Sequence, residues 1–213
     1  MMSDVSHAGA ERRIEVLVAS CASGAALTAL TVALDDDSAP VRQRAVQLAA
    51  QHLSPETLVS FIGANQPITR RASAMEALVS QGRRAVPALI SGANRDDTDV
   101  ALFSLLTLGR ISSLDALRTL TAFAVHADRK LAQGAIEGLG TLGDAAATPV
   151  LLRVLETDAW LTFGALVALG QVGDERAIGP LEKLVRHDAY GLLAGESLSL
   201  VRIRLARHGA RHG

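Results

Sequence analysis

Apolar positions recur along this chain with a period longer than a single helix. Leucine returns at Leu48, Leu78, Leu108, Leu139, Leu169 and Leu200, in steps of 30 or 31 residues. Small or apolar residues stand three, four, seven and eight positions before it. They are Leu105, Ser104, Ala101 and Val100 before Leu108; Ile136, Ala135, Ala132 and Leu131 before Leu139; and Leu166, Ala165, Thr162 and Leu161 before Leu169. At about 100° per residue these positions share one side of a helix with the leucine, which predicts a helix with a single buried stripe in every period. In the first period the stripe fits best one residue later, as Val41, Ala45, Val46 and Ala49. The second is irregular, with Arg70 and Arg71 at positions where apolar residues are expected.

Other columns keep the same phase. Asp97, Asp128, Asp158 and Asp188 precede the helix, where a carboxylate can accept from free backbone N–H groups. Gly109, Gly140 and Gly170 follow the leucine directly, where a left-handed residue would stop the helix. The pairs Gly143-Asp144 and Gly173-Asp174 predict the turn to the next unit, and Pro87, Pro149 and Pro180 fall early in the helix after it. One unit is thus two antiparallel helices, A then B, with units opening near Ala25, Ser54, Arg83, Ser113, Asp144 and Asp174. A period of this length means one hairpin copied and stacked, with each copy burying its apolar stripe against its neighbours. Gly134, Gly164 and Gly195 lie five positions before the leucine, where close approach of neighbouring B helices is the expected reason for them.

The ends Leu139-Gly140…Gly143-Asp144 and Leu169-Gly170…Gly173-Asp174, with the opening Asp37…Val41-Arg42, resemble bacterial HEAT-like repeats of the short type found in phycobilisome lyase subunits. The resemblance covers about residues 25–205. It implies an all-α, right-handed α–α superhelix of about six helical hairpins plus an N-terminal helix. The expected boundaries are a flexible N-terminus at 1–10, the array at 11–205 and a basic flexible tail at 206–213. Such repeats serve many partners, so the resemblance implies a protein-binding scaffold without naming what is bound.

Composition narrows the function. Hydrophobic residues make up 49 % of the chain and aromatics only 3 %, which gives an Ala/Leu/Val core suited to close helix packing. Basic and acidic residues balance at 21 against 22, so the electrostatic field of a duplex-binding protein is missing and nucleic acid is disfavoured as a partner. The basic residues are Arg except Lys130 and Lys183, which with the abundant Ala and Gly suggests a GC-rich bacterial source. Cys21 is the single cysteine, which excludes an intramolecular disulfide. Val18-Ala19-Ser20-Cys21 resembles a lipoprotein cleavage box, but Glu15 interrupts the short apolar run before it. An amphipathic first helix and a cytoplasmic protein with no membrane span are expected.

Several motifs look chemical. Gly138-x-Gly140-x-x-Gly143 matches a dinucleotide fingerprint, yet here it would close a helix rather than join strand to helix, and no cofactor is expected. No histidine is followed by glutamate, as the di-iron deoxyhypusine hydroxylases built on HEAT repeats would require; His7/Glu11 and His52/Glu56 have one-turn spacing but stand as isolated pairs. The clusters Asp35-Asp36-Asp37 and Asp96-Asp97…Asp99 lack a calcium loop's spacing. The Arg202, Arg204, Arg207, His208, Arg211 and His212 cluster is expected to close the last helix. No catalytic or metal-binding set emerges, so a non-enzymatic chain is expected. The alternatives are a lyase-like subunit handling a tetrapyrrole and a nucleic-acid-binding protein like the HEAT-like DNA glycosylases, for which Trp160 and Asp158 are the relevant residues.

Positions two, six and nine before the leucine point away from the buried stripe, and in a HEAT-like stack they would line the concave face. They are polar in the first, second and fourth units: Gln43 and Gln47, Thr69 and Glu76, then Lys130, Gln133 and Glu137. They turn apolar as Leu102 and Leu106, as Trp160, Phe163 and Val167, and as Leu198 beside Gly191. Grouped exposed apolar residues mark interaction sites, so these six are the expected partner-binding residues, the partner being another protein or a second copy of the chain. The alternative is that Trp160 and Phe163 pack inside the array.

Overall fold

A computed structural model describes the backbone of residues 2–212 and the side chains of residues 9–207. The helices follow in the expected order. After α1 (Met2–Ala22) come the pairs α2 (Ala26–Ala33) and α3 (Ala39–His52), α4 (Pro55–Val59) and α5 (Ile68–Gln81), and α6 (Val86–Ala93) and α7 (Thr98–Leu108). Then come α8 (Leu114–Phe123) and α9 (Arg129–Leu142), α10 (Thr148–Thr157) and α11 (Thr162–Val172), and α12 (Ile178–Leu184) and α13 (Gly191–His212). A short 3₁₀ turn leads into α6, α10 and α12, and the described residues contain no strand. The contacts form two compact units, Met1–Thr107 and Leu108–Gly213. Within the first, α1 packs on α2 and α3, α3 on α5, and α4 on α5 and α6; within the second, α8 packs on α9, α9 and α13 on α11, and α10 and α12 on the B helices that follow them. The ends expected to be flexible, 1–10 and 206–213, fall mostly on side chains outside the described residues; the backbones of Met2–Ala22 and Gly191–His212 are helical.

Polar side chains start the helices where the sequence places them. The Ser54 and Ser113 hydroxyls accept from the N–H groups of Thr57 and Ala116. Asp97 accepts from the Asp99 and Val100 N–H groups, and Asp128 from those of Lys130 and Leu131. Asp144 and Asp174 cap the 3₁₀ turns before α10 and α12 through Ala146 and Arg176 N–H. The column breaks in the last unit, where His187 Nδ1 rather than Asp188 accepts, from Ala189 N–H at 3.2 Å.

The glycines that follow the leucines do a different job from the one expected. Among the described residues φ is positive at Gly24, Gly82 and Gly143, and Gly143 (φ 76°) ends α9. Gly140 and Gly170 lie inside α9 and α11. A Cβ on Gly109 would sit 2.5 Å from the Gly138 Cα, and one on Gly170 would sit 3.3 Å from Ser197 Oγ and Leu200 Cδ1. The column therefore permits backbone-to-helix approach between successive units and does not supply a left-handed stop. Of the glycines five positions before the leucine, Gly164 has the Gln133 side chain of the neighbouring B helix nearest to it, and a Cβ on Gly195 would meet nothing within 4 Å. Close approach is therefore not the reason for Gly195, while at Gly164 the missing Cβ admits a side chain of the neighbouring helix.

Leu48, Leu78, Leu108, Leu139 and Leu169 are buried, whereas Leu200 is half exposed. In α13 the stripe is Ala194, Ser197, Leu198 and Val201, all buried, so Val201 takes the leucine's place one residue later. A second column fixes this phase. Three residues after Leu78, Gln81 donates to the carbonyls of Ala50 and Leu53 at the end of α3. Three residues after Val201, Arg204 donates to the carbonyls of Gly170 and Gly173 at the end of α11, at 2.7 and 2.9 Å. Both side chains satisfy helix-end carbonyls of the preceding unit, and the cation of Arg204 also suits the negative end of the helix dipole. Burial draws the Arg204 pKa below its ordinary value. The period appears directly in other bonds across one unit: Ser197 hydroxyl to Leu166 carbonyl, Arg176 to Ala145 carbonyl, and Tyr190 hydroxyl to Ala159 carbonyl, each 31 residues apart. Arg204→Ala is expected to cost about 2 kcal/mol, the scale of hydrogen bonds from a charged donor, as read by urea unfolding; Arg207→Ala, an exposed position, should change little.

The second-unit arginines have specific partners. Arg70 lies 3.9 Å from Asp35 and donates to Gln66, and the Arg71 guanidinium lies 4.4 Å over the Phe103 ring. Both replace expected apolar packing with charge-based contacts, the second a cation–π pair.

Candidate functional site

Trp160 stands on the turn before α11, and the turn is held from three sides. Its N–H donates to Asp158 Oδ1 at 2.9 Å, Arg129 Nε donates to Asp158 Oδ2 at 3.1 Å, and the Tyr190 hydroxyl donates to the Ala159 carbonyl at 3.2 Å. Desolvation would raise the Asp158 pKa, but the Trp160 N–H and the Arg129 side chain outweigh it and hold the carboxyl below its usual 3.8. Asp158 is therefore ionised at neutral pH with both oxygens engaged, an anchor for the loop rather than a free acid or base.

Trp160 on this fixed turn is 58 % exposed. Phe163 and Val167, one and two turns further along α11, are 64 % and 38 % exposed. They sit opposite the buried Ala165, Leu166 and Leu169, as the helix phase requires. Leu198 does not join them: at 7 % exposed it belongs to the core of α13 and is withdrawn from the candidate surface. The one-residue phase shift rotates α13 by about 100° relative to the expected register. The residue nine positions before Val201 is Leu192, and it is 82 % exposed. It lies two residues after Tyr190, whose hydroxyl reaches the Trp160 turn. Leu102 and Leu106, on α7 in the first unit, are half-buried.

Beside the apolar strip runs a groove of about 310 Å³ between α9 and α11. Gln133, Glu137 and Thr141 line it from α9, and Phe163, Gly164, Val167, Ala168 and Gln171 from α11. Gln133 belongs to the expected polar arc. Gln171 lies two residues past the leucine, outside that arc, so spacing counted backward from the leucine misses it.

The remaining motifs resolve into structure. Asp36 accepts from Ser38 N–H and pairs with Arg13, while Arg42 donates to the carbonyls of Asp36 and Asp37. Gly138, Gly140 and Gly143 lie in α9 and at its end, where no strand precedes them. Arg202 pairs with Glu182, while the side chains of His7, His208, Arg211 and His212 lie outside the described residues. Among the described residues no group of three or more His, Cys, Asp or Glu side chains is placed to hold a metal ion, and no helix is long and apolar enough to cross a membrane.

The family model for HEAT repeats matches residues 86–162 and 118–200, together more than half of the chain. No curated protein matches in sequence. Solved structures of three engineered proteins are similar. One is 19 % identical with a TM-score of 0.48, covering 82 % of this chain and 98 % of its own. A second is 18 % identical with a TM-score of 0.49, over 93 % of this chain and 59 % of its own. A third is 17 % identical with a TM-score of 0.48, over 91 % and 96 %.

Proposed function

The chain belongs to the HEAT-repeat family, and from that premise we propose that it is a non-enzymatic scaffold that holds another protein against the exposed face of α11. The observation that carries this reading is the group of Trp160, on the turn before α11, and Phe163 and Val167, within it, all solvent-facing. An exposed apolar residue by itself needs no explanation, but two aromatics and a valine on consecutive turns do. Rigidity supports the same reading. The Trp160 backbone is fixed before any partner arrives, so little ordering entropy opposes binding, and a tryptophan so held is a typical energetic anchor. The arginine-rich, lysine-poor composition supports a bacterial setting, and the charged interruption of the first apolar stretch supports the cytoplasm.

Trp160→Ala is expected to weaken partner binding by about 2 kcal/mol, roughly thirty-fold, without changing the unfolding midpoint. Quantitative affinity capture from the native organism with wild-type, Trp160→Ala and Phe163→Ala proteins measures this. Leu114→Ala serves as the control, an exposed apolar residue on α8. Equal capture by wild type and Trp160→Ala, or equal loss in the Leu114→Ala control, would reject the reading. So would a tetrapyrrole or a nucleic acid that binds and quenches Trp160 in titration.

A further inference from the structure

Two glutamines cross the α9/α11 seam in opposite directions. Gln133 of α9 lies over Gly164 of α11, where a Cβ would come within 2.6 Å of its Nε2 and 2.8 Å of its Oε1. Gln171 of α11 lies over Gly140 of α9, where a Cβ would come within 2.1 Å of its Oε1. Each glycine leaves a recess that seats the partner helix's amide. Yet among the described residues neither amide, nor Glu137 between them, has a hydrogen bond or ion pair within the protein. The groove thus presents two seated amides with free donors and acceptors, and one free carboxylate.

We propose that this groove binds an extended, basic segment of the partner polypeptide, with Gln133 and Gln171 hydrogen-bonding its main chain and Glu137 pairing with a Lys or Arg side chain. The inference rests on the reading of α11 as a protein-binding face and adds the chemistry of what is bound. A glutamine amide offers one donor group and one acceptor, as a peptide group does, so it can bond the N–H and C=O of one residue in an extended chain. The two amides are set seven helical residues apart, about 10 Å at 1.5 Å per residue. Three residues of extended chain span the same length at about 3.3 Å each. A helical occupant would leave the amides without partners, because its own main-chain groups are already used, and covering unpaired amides is unfavourable. Glu137 is the single charged side chain lining the groove, so the complementary charge is positive. Phe163 and Val167 line the groove from α11 and Glu137 from α9, so both apolar and acidic contacts are offered to the segment. The recognised segment therefore combines apolar and basic residues.

The test selects a display library of random linear peptides on the intact chain and measures the best synthetic peptide by titration. The expected result is enrichment of peptides that combine Lys or Arg with aliphatic or aromatic residues. Gln133→Ala combined with Gln171→Ala should weaken the peptide at least ten-fold with an unchanged unfolding midpoint, since neither side chain holds a partner in the fold. Glu137→Gln should weaken it and flatten its dependence on salt. Failure of any peptide to enrich, enrichment without basic residues, or binding indifferent to the double glutamine variant overturns the proposal. If that variant is neutral while Trp160→Ala abolishes binding, the groove is rejected and the apolar face of α11 stands. If both are neutral, both are rejected.

Discussion

Gly109→Ala is expected to destabilise the second unit by about 3 kcal/mol, the upper end of what overpacking costs in a tightly packed interior. The added methyl would lie 2.5 Å from the Gly138 Cα and 2.6 Å from the Gly138 carbonyl oxygen. Both are backbone atoms, so no rotamer change relieves the clash, and the helix carrying Gly138 must move away. The movement would open the contacts of the buried Ala135, Ile136 and Leu139 on the same helix. A suitable control is Gly195→Ala, within α13 and with nothing within 4 Å of its Cβ position. Alanine is the better helix former by about 1 kcal/mol, so that variant should be neutral or stabilising. Urea unfolding followed by circular dichroism separates the two. A Gly109→Ala protein as stable as wild type would mean that the glycine marks a turn and not a contact.

Leu169→Ala and Leu200→Ala change residues at the same point of the 31-residue period, and very different results are expected. Leu169 is fully buried on α11, which packs on α9, α10 and α13, so its truncation removes apolar contact and leaves a cavity, at a cost of about 3 kcal/mol. Leu200 is half exposed, so its truncation should cost under about 1 kcal/mol. Val201, fully buried, takes the core position in that unit, and Val201→Asp should prevent α13 from docking. Equal losses at Leu169 and Leu200 would restore the unshifted phase and with it Leu198 as a surface residue.

These two cases show how far the sequence could be read. The hairpins were legible because leucine spacing and the Ser and Asp caps are independent signals in one phase; Ser54, Ser113, Asp144 and Asp174 open the units in the structure as they do in the sequence. The role of the Gly109, Gly140 and Gly170 column was not legible. A left-handed stop and a close helix approach both select glycine, and only the packed neighbours distinguish them. The α13 phase was harder still, because Leu200 and Val201 are both apolar and one residue turns the helix by about 100°. The signal that could have decided it was polar: Gln81 and Arg204 each stand three residues past the true core position. Of the candidate site, helix phase alone gave Trp160, Phe163 and Val167. Leu192 was hidden by the same phase error, and Gln171 by its place beyond the counted arc.

Trp160 is the single tryptophan, so its fluorescence reports on the α11 face without labelling. Acrylamide quenching of the native protein, compared with the urea-unfolded chain, is the most direct measurement of whether that face is open to a partner. Quenching of the folded protein at more than half the unfolded rate, with emission at the red end of the tryptophan range, is the expected result. A blue-shifted emission that acrylamide hardly reaches would mean that the indole is sealed within the protein or against a second copy, and the surface assigned to the partner would not exist in the free chain.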